Sequence, residues 1–252
     1  MKISVITVCR NAAGLIAETM RSVLAQDFPE VEYIIVDGAS TDGTAEMVHS
    51  VLDLAPHRPG WNFVVVSEPD QGIYDAMNKG LRLATGHWVN FMNAGDAFAN
   101  DHVLSDIFGT GGRFSLSEHE GRGEALWVIG GNTLNVFPDG HVVEHHAEPA
   151  SVIPYRLPFS HQASFVRIKP ETFCFGLNYK YSADYKLFYD LYFAYGSSAF
   201  LVLDLPIARY RQEDSLTMNP QNQRLIKSEY LRIQSAHRSW TWWKEYLKFH
   251  LL

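Results

Sequence analysis

The chain has 252 residues, 46% of them apolar, and folding a chain of that size buries roughly three quarters of its unfolded surface, so a real core is available to one large domain or two small ones. Twenty-one basic against 28 acidic residues give a net charge of −7, which lacks the electrostatic footprint of a general nucleic-acid binder. Cys9 and Cys174 exclude a disulfide framework and C-x-x-C metal spacing, the apolar run 3–9 is too short for a signal peptide, and no apolar stretch approaches the roughly 18 residues that span a bilayer, so a cytoplasmic domain is expected.

Residues 3–8 form a β-branched apolar run, followed by Asn11-Ala-Ala-Gly14 and a helical pattern through Leu15, Met20, Val23 and Leu24 that ends before Pro29. The pattern repeats at once. Tyr33-Ile-Ile-Val36 predicts a second buried strand, Asp37-Gly-Ala-Ser-Thr-Asp42-Gly43 a turn, and residues 44–54 a helix. A third strand over 61–66 precedes Ser67-Glu-Pro-Asp70-Gln-Gly72, a helix over about 73–84 and a fourth strand over 88–92. Three strand and helix units joined this tightly predict a parallel sheet with right-handed crossovers. In such sheets ligands bind beyond the carboxyl ends of the strands.

Past Asp96, residues 101–108 read as a helix, and 109–123, with five glycines, as a loop. Residues 127–137, Pro138-Asp139-Gly140 and 141–143 predict a hairpin closed on an Asp-Gly turn. A short strand over 165–168, a helix over 181–195 and a last strand over 200–205, stopped by Pro206, complete the pattern. The expectation is one α/β domain over 1–215 and a helical tail over 216–252.

Glycine-rich loops suggest phosphate binding, yet G-x-G-x-x-G does not follow the first strand and G-x-x-x-x-G-K-[ST] does not occur. The strand ends supply carboxylates instead: Asp37, Asp42, Asp70 and Asp96. Carboxylates repel phosphate unless a divalent cation lies between them, and Mg²⁺ typically takes one or two carboxylates plus the substrate's own phosphate oxygens. Asp96, after Phe91-Met-Asn93-Ala-Gly95, stands where such a ligand would be useful. Asp37 and Asp96 read equally well as turn formers, and for Asp42 the preferred reading is a cap on the helix that begins at Thr44.

In order along the first hundred residues, Ile3-Ser-Val-Ile-Thr-Val8, Ile35-Val-Asp-Gly-Ala-Ser-Thr-Asp-Gly-Thr44, Ser67-Glu-Pro-Asp-Gln-Gly-Ile-Tyr-Asp-Ala-Met-Asn-Lys-Gly80, Ala84-Thr-Gly86 and Asn93-Ala-Gly-Asp96 resemble the inverting family 2 glycosyltransferases of GT-A fold, of the bacterial polysaccharide and O-antigen type. Phe159-Ser-His-Gln162 and Tyr181-Ser-Ala-Asp184 look like later landmarks of the same family. The resemblance implies a Rossmann-like, mostly parallel central sheet flanked by helices, with a nucleotide-binding half over about 1–100 and an acceptor and catalytic half over about 101–215. It implies transfer of a sugar, with inversion, from a nucleoside diphosphate sugar to a hydroxyl of a glycan or polyprenyl-linked acceptor. Uridine is favoured as the base only by the family's habit.

By position, the resemblance implies that Thr7 and Cys9 line the nucleotide pocket with Asn11 beside them, that Asp37 accepts a hydrogen bond from the base, and that Asp70 sits on the nucleotide's other side. Asp96 matches the last carboxylate of the family's Asp-x-Asp motif and would hold Mn²⁺ or Mg²⁺. Asp184 matches the catalytic base, and His161 and Gln162 fall where the acceptor or the donor sugar would be touched. These roles are chemically coherent. Breaking the sugar to phosphate bond develops charge on the departing diphosphate, which a metal stabilises, and an attacking hydroxyl needs one base on the face opposite the leaving group.

Departures from the family pattern carry weight too. Ala94 replaces the first Asp of Asp-x-Asp, leaving its contact to Asn93 or backbone; Ala183 stands where a Glu often precedes the base, and Met77 replaces a common Arg. Diphosphate charge would then be met by Lys79, Arg209 or Arg211, with Arg211 favoured because Tyr210-Arg-Gln-Glu-Asp-Ser215 resembles the family's closing loop. A nucleotidyltransferase is a second reading, weakened because Cys9-Arg-Asn-Ala-Ala-Gly14 offers one Arg and one Gly. A nucleotide-sugar-binding protein without turnover is a third, kept open by Ala94 and Ala183.

His141, His145 and His146 beside Glu144 and Glu148 invite a metal site, but strand alternation argues against one by sending neighbours to opposite faces. In the tail, Trp240, Trp243 and Leu247 share a helical face with Leu251, flanked by Lys244 and Lys248. Such a helix either lies at a membrane's inner surface or packs on the domain or in an oligomer contact.

Overall fold

The computed structural model describes residues 1–111, 126–168, 174–212 and 219–237. Most of the 109–123 loop, and the aromatic run with Trp240, Trp243 and Leu247, lie outside the described residues. Three strand and helix units open the chain as expected: β1 (Ile3–Cys9), α1 (Ile16–Leu24), β2 (Val31–Asp37), α2 (Thr44–Asp53), β3 (Trp61–Ser67), α3 (Ile73–Leu83) and β4 (Trp88–Phe91). Then come β5 (Ala97–Phe98), α4 (Val103–Phe108), β6 (Val128–Val136), β7 (Val142–His145), β8 (Ser164–Arg167), α5 (Ala183–Tyr195), β9 (Phe200–Arg211) and α6 (Pro220–Gln234).

One sheet takes the order β3-β2-β1-β4-β8-β6-β9-β5, with β7 paired to β6 as the expected hairpin. From β3 to β4 all pairs are parallel, because each helix returns the chain to the same end of the sheet. Beyond β4 the sheet is mixed: β8 is antiparallel to β4 and β6, β9 is parallel to β6, and β5 is antiparallel to β9. The strand expected to stop at Pro206 runs on to Arg211. Pro206 lies opposite Asn132, where the β6 and β9 register shifts, a position that tolerates a residue without an N–H. That continuation carries Tyr210 and Arg211 toward the site.

Strand alternation divides the core between the two faces of the sheet. Ile3 and Val5 of β1 pack with Trp88, Phe165 and Ile207 on one side, while Ile6 and Val8 pack with Val89, Phe159 and Phe188 on the other. Each fully buried aliphatic or aromatic side chain contributes about 1.5–3 kcal/mol relative to exposure. Both clusters draw on residues before and after 108, so the two halves share their cores. Helix α6 closes on α5: Ile233 is buried, Tyr230 stacks on Tyr185 at 4.2 Å, and Gln234 Nε2 donates to Tyr155 O at 2.7 Å. No described helix is long and apolar enough to cross a membrane.

Candidate functional site

The carboxyl ends of β1, β2 and β3 bring together the first set of candidate residues. Asp37 ends β2 almost fully buried; Ser67 Oγ (2.6 Å), Ser40 N (3.1 Å) and the Ser40 hydroxyl donate to it. Burial pushes this carboxyl up, but the Ser40 and Ser67 donors outweigh it and hold it below its usual value, so it stays ionised. Burial, then the Asp37 charge, pushes the neighbouring Cys9 thiol up to about 12, which leaves it a neutral wall residue. Asp70 presses against Gly38, where a Cβ would lie 2.1 Å from its Oδ2, so only glycine lets the two loops meet. Asp42 accepts from Thr44 N (3.0 Å) and Ala13 N (3.1 Å), which makes it a clamp between loops as well as the support of α2. Asn11, with φ of 49°, accepts from Thr41 N at 3.0 Å and does similar work.

One candidate in this set is placed differently from expectation: Thr7 is fully buried inside the sheet, donating to Met92 O at 2.8 Å, and lines no surface. Lys79 is held beside the Asp70 loop by Pro69 O (2.6 Å) and Glu68 (2.9 Å).

The second set converges on a cavity of about 380 Å³ between the loop after β4 and the start of α5. Asn93, Asp96, His161, Gln162, Asp184 and Arg211 all line it. Asp96 is 6% exposed and accepts from Gln162 Nε2 at 2.8 Å. Burial pushes its carboxyl up to about 6, against the opposing pull of the Gln162 donor. Asp184, in the first turn of α5, accepts from Tyr185 N (2.8 Å) and Tyr74 OH (3.2 Å) and lies 3.1 Å from His161 Nδ1. Burial, then the Asp184 charge, raises the Tyr74 phenol well above its ordinary value, so the hydroxyl remains a donor. Asn93 Oδ1 is buried without a partner among the described residues.

Tyr74, Lys180, Tyr181 and Tyr210 also line this cavity, and sequence reasoning did not single them out as site residues. Tyr74 had a readable signal, an aromatic hydroxyl at the second position of a helix that follows the Asp70 to Gly72 loop; Tyr210 opened the segment that resembles the family's closing loop, from which only Arg211 was taken as a site residue. A neighbouring cavity of about 600 Å³ shares Ile73, Tyr74, Lys180 and Tyr181 with the first. Away from both, Glu144, His146 and Asp204 place ligand atoms within 4.8 Å of one another on an exposed surface. Asn132 Nδ2 donates to Glu144 Oε1 and Asp204 Oδ1, each at 2.8 Å, filling the space between them.

Residues 4–108 match the sequence model of glycosyl transferase family 2. A putative teichuronic acid biosynthesis glycosyltransferase, TuaG, of Bacillus subtilis is 39% identical over 107 residues, 42% of this chain and 40% of that protein. The chain spans less than half the length of the curated relatives it matches. Among solved structures, S. aureus TarS 1–349 in complex with UDP superposes with a TM-score of 0.64 at 21% identity, over 94% of this chain and 65% of that one. The mannosyltransferase PcManGT of Pyrobaculum calidifontis, in complex with GDP-Man and Mn²⁺, superposes with a TM-score of 0.62 at 16% identity, over 98% and 68%.

Proposed function

Because residues 4–108 match the glycosyl transferase family 2 model and the chain takes the GT-A fold, we propose that it transfers a sugar, with inversion, from a nucleoside diphosphate sugar, UDP-linked for preference, to a hydroxyl of a glycan or lipid-linked acceptor. The observation that carries this reading is a pair of differently held carboxylates on one cavity. Asp96 is buried and accepts from Gln162 Nε2; Asp184, at the start of α5, accepts from Tyr74 OH and Tyr185 N. Asp184 is the base that accepts the proton of the attacking hydroxyl, a role generally worth about 10²- to 10⁴-fold in rate.

The residues fit a divalent cation. Asp96 offers a carboxylate and Asn93 an orphaned buried carbonyl oxygen on the same cavity, a hard-oxygen set suited to Mn²⁺ or Mg²⁺. Asp96, joined by Asn93, would hold the ion, and its chemistry there would be to offset charge on the departing diphosphate. Arg211, on the same cavity, adds a second positive charge for that diphosphate, while the Asp37 and Asp70 loops receive the nucleoside. The acceptor enters through the neighbouring cavity and reaches Asp184 past Tyr74 and Tyr181.

The test is Asp184→Asn. Donor affinity, read by calorimetry, is expected to stay within about threefold of wild type while transfer falls by at least about 10²-fold. A variant that kept its rate within a few-fold would remove Asp184 from the mechanism.

A further inference from the structure

We propose that His161 is a positioning residue for Asp184: its Nδ1–H donates to the carboxylate while Asn93 holds the ring from its other nitrogen. This deepens the proposed function and rests on Asp184 being its base. Asn93 Nδ2 lies 3.0 Å from His161 Nε2, and His161 Nδ1 lies 3.1 Å from Asp184 Oδ2. An ionised carboxylate only accepts, so the contact with Asp184 Oδ2 places a proton on Nδ1, facing the carboxylate, while the Asn93 amide holds the ring at Nε2.

The consequence for the base follows from counting. An ionised carboxylate has about four acceptor positions. Tyr185 N and Tyr74 OH take two on Oδ1 and His161 takes one on Oδ2, which fixes the carboxylate plane from three separate elements and leaves one position for an acceptor hydroxyl. The ring is itself fixed. Asn90 Nδ2 donates to Gln162 O (2.8 Å) and Ser164 O (2.9 Å), anchoring the turn that carries it to the end of β4. Gln162, the next residue, does for Asp96 what His161 does for Asp184. One two-residue turn therefore sets both carboxylates.

Two measurements on the full chain test the proposal. Histidine-labelled ¹⁵N NMR at neutral pH is expected to show a proton on His161 Nδ1; a ring protonated at Nε2 alone would overturn it. In kinetics, His161→Ala is expected to lower kcat by about 10- to 100-fold with donor KM unchanged within about twofold. His161→Asn, whose amide nitrogen can reach the Nδ1 position, is expected to recover most of that loss, and His161→Gln, which reaches only the Nε2 position, is not. An unchanged kcat in His161→Ala, or equal losses in the Ala and Asn variants, would overturn the positioning role. A wild-type chain that transferred no sugar would sink the functional reading alone, since the proton on Nδ1 would still be decided by NMR.

Discussion

Asp96 lies 6% exposed, and burial pushes its carboxyl up to about 6 from an unfolded value near 4. The folded chain therefore holds this proton more tightly than the unfolded chain does. Stability from this group is fully present below about pH 4 and is lost as pH rises through about 6, by an amount on the order of 3 kcal/mol. Urea unfolding between pH 4 and 7 is expected to show that downward slope in the wild type and to lose it in Asp96→Asn. Identical slopes in the two proteins would show that another group sets it. A divalent cation bound through Asp96 requires the ionised carboxylate, so added Mn²⁺ is expected to oppose the loss near neutral pH. The candidate carboxylates were legible in the sequence because strand ends expose them in order. Their partners were not: Gln162 lies 66 residues from Asp96, and His161 lies 68 from Asn93, separations that no local pattern encodes.

At the level of elements, α3 sits unusually close to the sheet. A Cβ on Gly80 would lie 2.5 Å from Ile6 Cγ2 and 3.4 Å from Val36 Cγ2. In a free helix Gly→Ala is worth about 1 kcal/mol of stability, but overpacking against a fully buried Ile costs about 1–3 kcal/mol. The second effect is the larger, so Gly80→Ala is expected to destabilise by about 1–2 kcal/mol, with Ile6→Val recovering part of it in the double mutant; a stabilised variant would refute the close approach. Helix α6 bears on the site as well. The Glu229 carboxylate accepts from Lys180 N (2.7 Å) and Tyr181 N (3.0 Å), fixing the backbone that leads into α5. Glu229→Ala is expected to cost about 1 kcal/mol and to lower kcat more than it raises donor KM, as steady-state kinetics and thermal melts would reveal. Equal effects on both kinetic constants would mean that α6 supports the fold without aligning Asp184. The parallel strands were readable as unbroken β-branched runs. The two-residue β5 and the part of β9 beyond Pro206 were not, because tertiary pairing creates them against local preference.

Across the whole molecule, the family signal and the chemistry are divided differently. Residues 4–108 carry the sequence match, yet Asp184 on α5, His161 and Gln162 in the turn before β8, and Arg211 at the end of β9 all lie beyond it. The pairing of β5 has a consequence for how the protein is made. Among the described residues, Ala97 and Phe98, immediately after Asp96, pair only with Arg209 and Ala208 near the end of β9. A chain emerging from the ribosome can build β1 to β4 early, since all four lie before residue 92, but the loop that holds Asp96 gains its closing strand only after about residue 211 has been synthesised. Chains that stop short of β9 thus lack the strand that closes the cavity beside Asp96, and the proposed transfer is expected only once that strand is in place.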